Sequence, residues 1–240
     1  MLRTLVAACL PIAALPAYAG LIDLNALPHG TVVTDQFVLS DGVTVNAVNY
    51  NRDFHIAGIF DTRQTGTSAP GLEGPPWAGG NLAPDTIVGN TLIIAQNDLM
   101  DQNGLLIDPD DEGSQPAGEL ILDFEAPATL IGFDVVDIDT PTQFYAIAFY
   151  LGGQFQKRIS FPEFINPNSP FYDASVSFGD NHANRIQPIT AAQLQISGFD
   201  RVVFEMGGSG AIGNLVPEPA SLLLLALGGA ALLRRRISRG

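Results

Sequence analysis

The chain is poor in cysteine, in lysine and in charge of either sign. Its 240 residues include one cysteine, Cys9, and one lysine, Lys157, and only 15% of the residues are charged. A single cysteine excludes an internal disulfide. The lone lysine does not follow the glycines of a phosphate-binding loop, and the three histidines are scattered without metal-ligand spacing. These absences argue against nucleotide-dependent enzymes and zinc proteins.

Positive charge is concentrated at the two ends of the chain. Between Gly20 and Leu215 there are six basic and 24 acidic residues, a formal charge of −18, whereas the last seven residues hold four arginines. Such an acidic body repels phosphate backbones, so we expect no nucleic-acid partner. Cations, basic proteins and neutral polar polymers are the partners that this charge permits.

Residues 1–19 have the pattern of a secretory signal peptide. Arg3 forms a short cationic start, and an apolar run extends from Leu5 to Leu15. The small residues Ala17 and Ala19 then precede Gly20, which is typical of a cleavage site. Cleavage after Ala19 would remove Cys9, so the exported protein would hold no thiol.

The last 25 residues form a second targeting segment. Val216, Pro217, Glu218 and Pro219 are followed by fourteen apolar or small residues at 220–233, and then by Arg234, Arg235 and Arg236. At ~1.5 Å per residue, that helix would span about 21 Å, less than the roughly 30 Å hydrocarbon core. We therefore expect a marginal, transient membrane anchor. By the positive-inside rule, the arginine cluster at 234–239 predicts a cytoplasmic C-terminus.

This ordered combination resembles the PEP-CTERM sorting signal of Gram-negative bacteria, also known as an ice-binding-protein C-terminal domain. The resemblance implies that an exosortase, a membrane protease-transpeptidase, recognises residues 217–219 and removes the helix. The body, exported through the inner membrane and left on its far side, would then pass to the cell surface or to an exopolysaccharide matrix. The alternative is an ordinary C-terminal anchor that is never cut. Prolines at the motif should keep it extended, because they block helix propagation.

The body at 20–215 shows short β-type runs separated by Gly, Pro, Asn and Asp. Residues 119–124, for example, alternate apolar and polar side chains, as expected for a half-buried strand. The pattern predicts an all-β antiparallel β-sandwich, jelly-roll-like, with one short helical turn that Thr190 caps. Ten strands are predicted, at 31–39, 43–49, 55–60, 91–96, 119–124, 129–138, 143–151, 154–161, 174–178 and 201–206. The Gly- and Pro-rich residues 66–86 should form a long ordered loop.

The loop from 98 to 119 is the first candidate site. Its carboxylates follow nearly the offsets of a calcium-binding loop, with Glu112 at a position where Asp or Asn is usual. The candidate calcium ligands are Asp108, Asp110, Glu112 and Glu119. A solvated acidic turn is the alternative, since Glu119 opens a strand and no flanking helices are present.

Three further features are candidates for contact with a ligand. In a strand, Asp137 and Asp139 share a face and Asp134 points the other way, so the three should not converge without a bulge. Trp77 in the 66–86 loop could stack on a sugar ring, or it could plug the end of the core. The polar loop at 180–185 could contact a ligand or form a hydrogen-bonded turn.

These observations favour a non-enzymatic, exported surface or matrix protein whose partners are an exosortase-like enzyme, the inner membrane and extracellular polysaccharide. A carbohydrate- or calcium-binding module is the alternative, and an exported glycan hydrolase is a third. No cofactor other than calcium is suggested by the sequence.

Overall fold

The structure, a computed structural model, describes residues 21–219. The predicted signal peptide, the tail helix at 220–233 and the arginine cluster lie outside this range. The regular structure of this range consists of ten strands, three one-turn α-helices and two 3-10 turns, at Leu24–Ala26 and Pro70–Leu72. The strands are β1 (Val32–Val33), β2 (Val43–Asn49), β3 (Ala57–Asp61), β4 (Asn90–Ile94), β5 (Gly118–Val136), β6 (Ala146–Leu151), β7 (Gln154–Ser160), β8 (Ala183–Thr190), β9 (Phe199–Met206) and β10 (Ala211–Pro219). The helices are α1 (Val38–Asp41), α2 (Pro162–Ile165) and α3 (Ala191–Leu194).

The long strand β5 organises both layers of the fold. Its first part, to Phe124, pairs with β2 on one side and β9 on the other, and β9 continues through β6 to β7. Its second part, from Ala128, pairs with β10 and β8, and β10 continues through β4 and β3 to β1. All of these pairings are antiparallel. The prediction of an all-β antiparallel sandwich is confirmed.

The core lies between the two layers. In β2 the buried residues alternate, with Val43, Val45 and Ala47 facing inward, and Val45 lies opposite Leu122 of β5. Phe133 of one layer meets Phe204 of the other with ring centroids 5.0 Å apart. This period-2 alternation is what allows a strand to cover a core with one face and meet solvent with the other.

Strands β3 and β4 are buried on both faces. Ile59 and Leu92 point into the main core, whereas Phe60 and Ile93 join a second apolar cluster with Leu72. The second cluster lies under the 66–86 loop, which therefore covers the outer face of the sheet. This covering explains why β3 and β4 are apolar throughout instead of alternating.

Several predicted element boundaries differ from the structure. Residues 174–178 form no strand, and 31–39 holds only the two-residue β1 and the start of α1. Strands β8 and β10 were not predicted, because Pro188, Pro217 and Pro219 interrupt their β patterns. The predicted capping of α3 is confirmed: Thr190 Oγ1 accepts from the Gln193 amide, and the Gln193 side chain accepts from the Thr190 amide at 2.8 Å.

Candidate functional site

The four predicted calcium ligands do not converge. Glu112 accepts hydrogen bonds from Arg52 Nε at 2.9 Å and from Asn49 Nδ2 at 3.2 Å, and Glu119 accepts one from the Tyr50 hydroxyl at 2.6 Å. Asp108 accepts from the Ser68 amide at 3.2 Å. Glu119 turns away because it lies on β5, where its side chain faces the end of β2. The pKa of Glu112 is lowered: burial acts to raise it, but hydrogen bonds, including those from Ser114, Asn49 and Arg52, outweigh burial.

A different set of acidic residues meets at one end of the sandwich. Asp111 lies before β5, Asp137 and Asp139 directly follow β5, and Asp180 precedes β8. Among the described residues, Asp137, Asp139 and Asp180 are the one group of three or more whose ligand atoms lie within 4.8 Å of one another. These residues, together with Asp110, Asp111 and Ser209, form what we call the acidic pocket. All of them except Asp139 line a cavity of about 270 Å³.

Ser209 in the turn between β9 and β10 links two of these carboxyl groups. Its hydroxyl lies 2.7 Å from Asp111 Oδ2 and 2.8 Å from Asp137 Oδ2. A hydroxyl donates only one hydrogen bond, so a proton on one of the two carboxyl groups is needed to satisfy the second contact. The Gly210 amide also donates to Asp111, at 2.6 Å. Ser209 therefore joins Asp111 and Asp137 in one compact hydrogen-bonded group.

The pKa values of the pocket carboxyl groups agree with this geometry. Burial raises the pKa of Asp111 from 3.8 to about 6, and the charge of Asp137 adds to the rise. Burial also raises the pKa of Asp137, Asp139 and Asp110. Desolvation penalises the ionised form of each carboxyl group, so the pocket holds protons more strongly than an exposed cluster would.

The 66–86 loop closes one wall of the pocket. A Cβ atom at Gly71 would collide with the Asp137 carboxylate, so only glycine permits this close approach. The Asn181 side chain donates to the carbonyls of Gly71, at 3.1 Å, and Glu73, at 2.8 Å. The Asn181 backbone N–H donates to Asp137 Oδ1 at 2.7 Å. The polar loop at 180–185 thus holds the 66–86 loop against the acidic residues.

Trp77 packs in the second apolar cluster and so holds the 66–86 loop against the sheet. Its side chain is 4% exposed, and its indole Nε1 donates to the Thr86 carbonyl at 2.8 Å. A ring buried to this degree has no face free to stack on a sugar. The structure therefore favours the packing role of Trp77 over the ligand role.

Asp134 lies apart from the pocket, as the strand alternation predicts. It is fully buried, and Arg185 binds it through two hydrogen bonds at 2.8 and 2.9 Å. Asn214 Nδ2 donates to the same carboxylate at 2.6 Å. Asp134 thus joins β5, β8 and β10 at one point, which has a structural role.

The sequence did not predict that the residues of the acidic pocket lie together. Asp137, Asp139 and Asp180 each lie in segments that the sequence singled out, but nothing in the order of residues indicated that these segments meet. Asp111 lies in the 98–119 loop but is not one of its candidate ligands, and Ser209, 98 positions away, gave no signal. Calcium binding by Asp108, Asp110, Glu112 or Glu119 stays a prediction.

The motif residues Val216, Pro217, Glu218 and Pro219 form the end of β10. Val216 pairs with Gly132, Pro217 with Ile131 and Glu218 with Leu130, all in β5. Pro217 is buried and Glu218 is exposed. The expectation that the prolines keep this segment extended is confirmed. We call Val216–Pro219 the outer half of β10 and Ala211–Gly213 the inner half.

Comparison with known proteins identifies the end of the chain. Residues 215–237 match the PEP-CTERM protein-sorting motif. The chain therefore carries this motif, as predicted, which indicates an exported protein that is processed at a membrane. Between residues 21 and 219, no helix is long and apolar enough to cross a membrane.

The comparisons tell little about the body. No curated protein matches the chain. Among solved structures, the K2 cleaved adhesin domain of Lys-gingipain (Kgp) is similar, with 12% sequence identity and a TM-score of 0.37. The match covers 83% of this chain and 96% of that domain. At this TM-score the likeness carries no functional argument.

Proposed function

We propose that the chain is a non-enzymatic exported protein that an exosortase-like membrane protease sorts and processes through its C-terminal tail. The processed β-sandwich is then displayed at the cell surface or in the extracellular polysaccharide. The observation that supports this proposal is the PEP-CTERM match at 215–237, which begins within β10, the last strand of the described β domain.

The charge of the body is consistent with an extracellular role. Six basic residues against 24 acidic ones between Gly20 and Leu215 keep the domain soluble and repel it from nucleic acid. Neutral polymers carry no such repulsion, so a polysaccharide matrix is a compatible destination.

Intact-mass measurement of the mature protein tests the processing step. The protein is isolated from cells with and without the exosortase. We expect residues 234–240 to be missing only where the enzyme is present. Their retention in both cell types would overturn the proposal.

A matched pair of variants shows whether the exosortase recognises the motif itself. Glu218→Ala removes an exposed carboxylate of the motif, and Glu125→Ala removes an exposed carboxylate of the body. We expect the first change to slow processing and the second to leave it unchanged. Equal processing of both would contradict recognition through Glu218.

The non-enzymatic role has its own test. We expect the purified body to release no sugar from bacterial exopolysaccharides. Sugar release that disappears in Asp111→Asn or Asp137→Asn would instead establish an exported hydrolase.

A further inference from the structure

The sorting motif is part of the folded domain. The inner half of β10 passes between β4 and β5, where Ile212 pairs with Leu92 and Val135. The strand then continues without a linker into the outer half, whose one partner strand among residues 21–219 is β5. Leu215, one residue before the motif, is fully buried. The segment that the enzyme must bind is therefore a strand of the sandwich.

One edge of the outer half is occupied by β5. There β5 is itself held from its other side, since Leu130 pairs with Thr190 and Ile131 with Ile189 of β8. Proteins that recognise an extended segment through its backbone need one of its edges free. The inward edge of the motif does not meet this condition.

The other edge of the outer half is poor in hydrogen-bond donors. In the described part of the chain, the last backbone contact on that side is the Ile22 amide, which donates to the Leu215 carbonyl at 2.8 Å. Pro217 and Pro219 lack an N–H, and residues two apart direct their backbone groups to the same side of a strand. Proline is accepted in edge strands where the missing donor faces solvent. This edge therefore offers few groups for another strand to pair with.

Asn214 marks the point at which the outer half could separate. It has a positive φ of 46°, and the pairing of β10 with β5 shifts register between Gly213 and Val216. Its side chain holds the buried Asp134. Detachment of residues 216–219 would leave this contact and the inner half in place.

We propose that the body regulates its own processing: the outer half of β10 is withheld from the membrane enzyme while it pairs with β5. It becomes a substrate only when it separates from β5 as far as Asn214. This mechanism rests on the proposed function, because it assumes that an enzyme reads the motif. Separation of the outer half from β5 would then limit the rate of cleavage.

A disulfide across the strand pair tests the mechanism directly. A Cβ atom at Gly132 would lie 4.0 Å from the Val216 Cβ, within the range of disulfides, and the cysteine would disturb no backbone of positive φ. The test protein carries Gly132→Cys and Val216→Cys in a Cys9→Ala background. Val216→Cys alone is the matched control, because it makes the same change within the motif without a bond.

Cleavage is followed by intact mass in membranes that contain the exosortase, with and without reductant. We expect at least tenfold slower cleavage of the oxidised double variant, full recovery on reduction, and no reductant effect in the control. Equal rates for the oxidised and reduced double variant would overturn the mechanism. Thermal unfolding of both forms verifies that the sandwich is intact.

A change that releases the motif from β5, instead of fixing it there, provides a second test. Insertion of eight Gly and Ser residues between Leu215 and Val216 would move the motif away from β5 without altering the motif itself. We expect cleavage at least as fast as in the unaltered chain, and slower cleavage would count against the mechanism. If the unaltered chain is not cut at all, the proposed function fails; if it is cut and the disulfide has no effect, only the regulation fails.

Discussion

The two halves of β10 belong to the same strand but differ in what surrounds them. The inner half has partners on both sides, and Ile212 is fully buried in the main core. Within the described part of the chain, the outer half has a partner strand on one side, and its Glu218 is exposed. The number of flanking strands, more than the residue types, decides how firmly each half is held.

The comparison predicts its largest effect at the inner half. Ile212→Ala should lower the free energy of unfolding by about 2 to 5 kcal/mol, because it leaves a cavity in the main core. Urea denaturation of residues 20–219 measures the loss. Ile212→Val is the control and should cost about 0.5 to 1.5 kcal/mol. Equal losses for the two variants would indicate that the site collapses around the missing atoms.

The second-largest loss of stability is expected at the junction between the two halves of β10. Arg185→Ala would leave the buried Asp134 with Asn214 as its remaining side-chain partner, and should cost about 2 to 4 kcal/mol. Arg201→Ala, which breaks a half-exposed pair with Asp123, should cost less than about 1 kcal/mol. Denaturation at pH 7 compares the two. Similar costs would show that burial of Asp134 adds nothing to the ion pair.

The start of the inner half should respond to pH. Asp111, which accepts from the Gly210 amide, has a native pKa of about 6 and an ordinary value of 3.8. Between about pH 4 and pH 6 the native state binds more protons than the unfolded state, so this group makes stability fall as pH rises.

Asp111→Asn should remove that fall and stabilise the domain at pH 7 by about 2 to 3 kcal/mol. An asparagine Oδ1 can still accept from Gly210 and Ser209. Thermal unfolding between pH 4 and pH 8 measures the effect, with Asp23→Asn as an exposed control. Unchanged pH dependence in Asp111→Asn would contradict the raised pKa.

The smallest effect is expected at the outer half. Val216→Ala should lower the free energy of unfolding by less than about 1 kcal/mol, since Val216 is only partly buried. The same urea titration as for Ile212→Ala gives the value. A loss as large as that of Ile212→Ala would mean that the outer half is part of the cooperative core, and that it does not separate on its own.

Local sequence signals predicted the elements that depend on local structure. Residues 43–49 alternate clearly and form β2 as predicted, and Thr190 with Gln193 forms the predicted helix cap. Strand β10 escaped detection because two prolines end its pattern, yet an edge position tolerates both. The acidic pocket was not predicted, because its residues come from four separate connections between strands. No local sequence pattern indicates which connections lie next to one another.

The sequence by itself determined the class of fold and the presence of the PEP-CTERM motif, because alternation along a strand and the order of proline, apolar and arginine residues are local properties. Only the tertiary structure decided which carboxylates share a pocket, that Trp77 is buried, and that the motif pairs with β5. These three facts depend on contacts between residues far apart in the chain. Long-range pairing is set by how the two layers pack as a whole, and so it leaves no mark in any single segment.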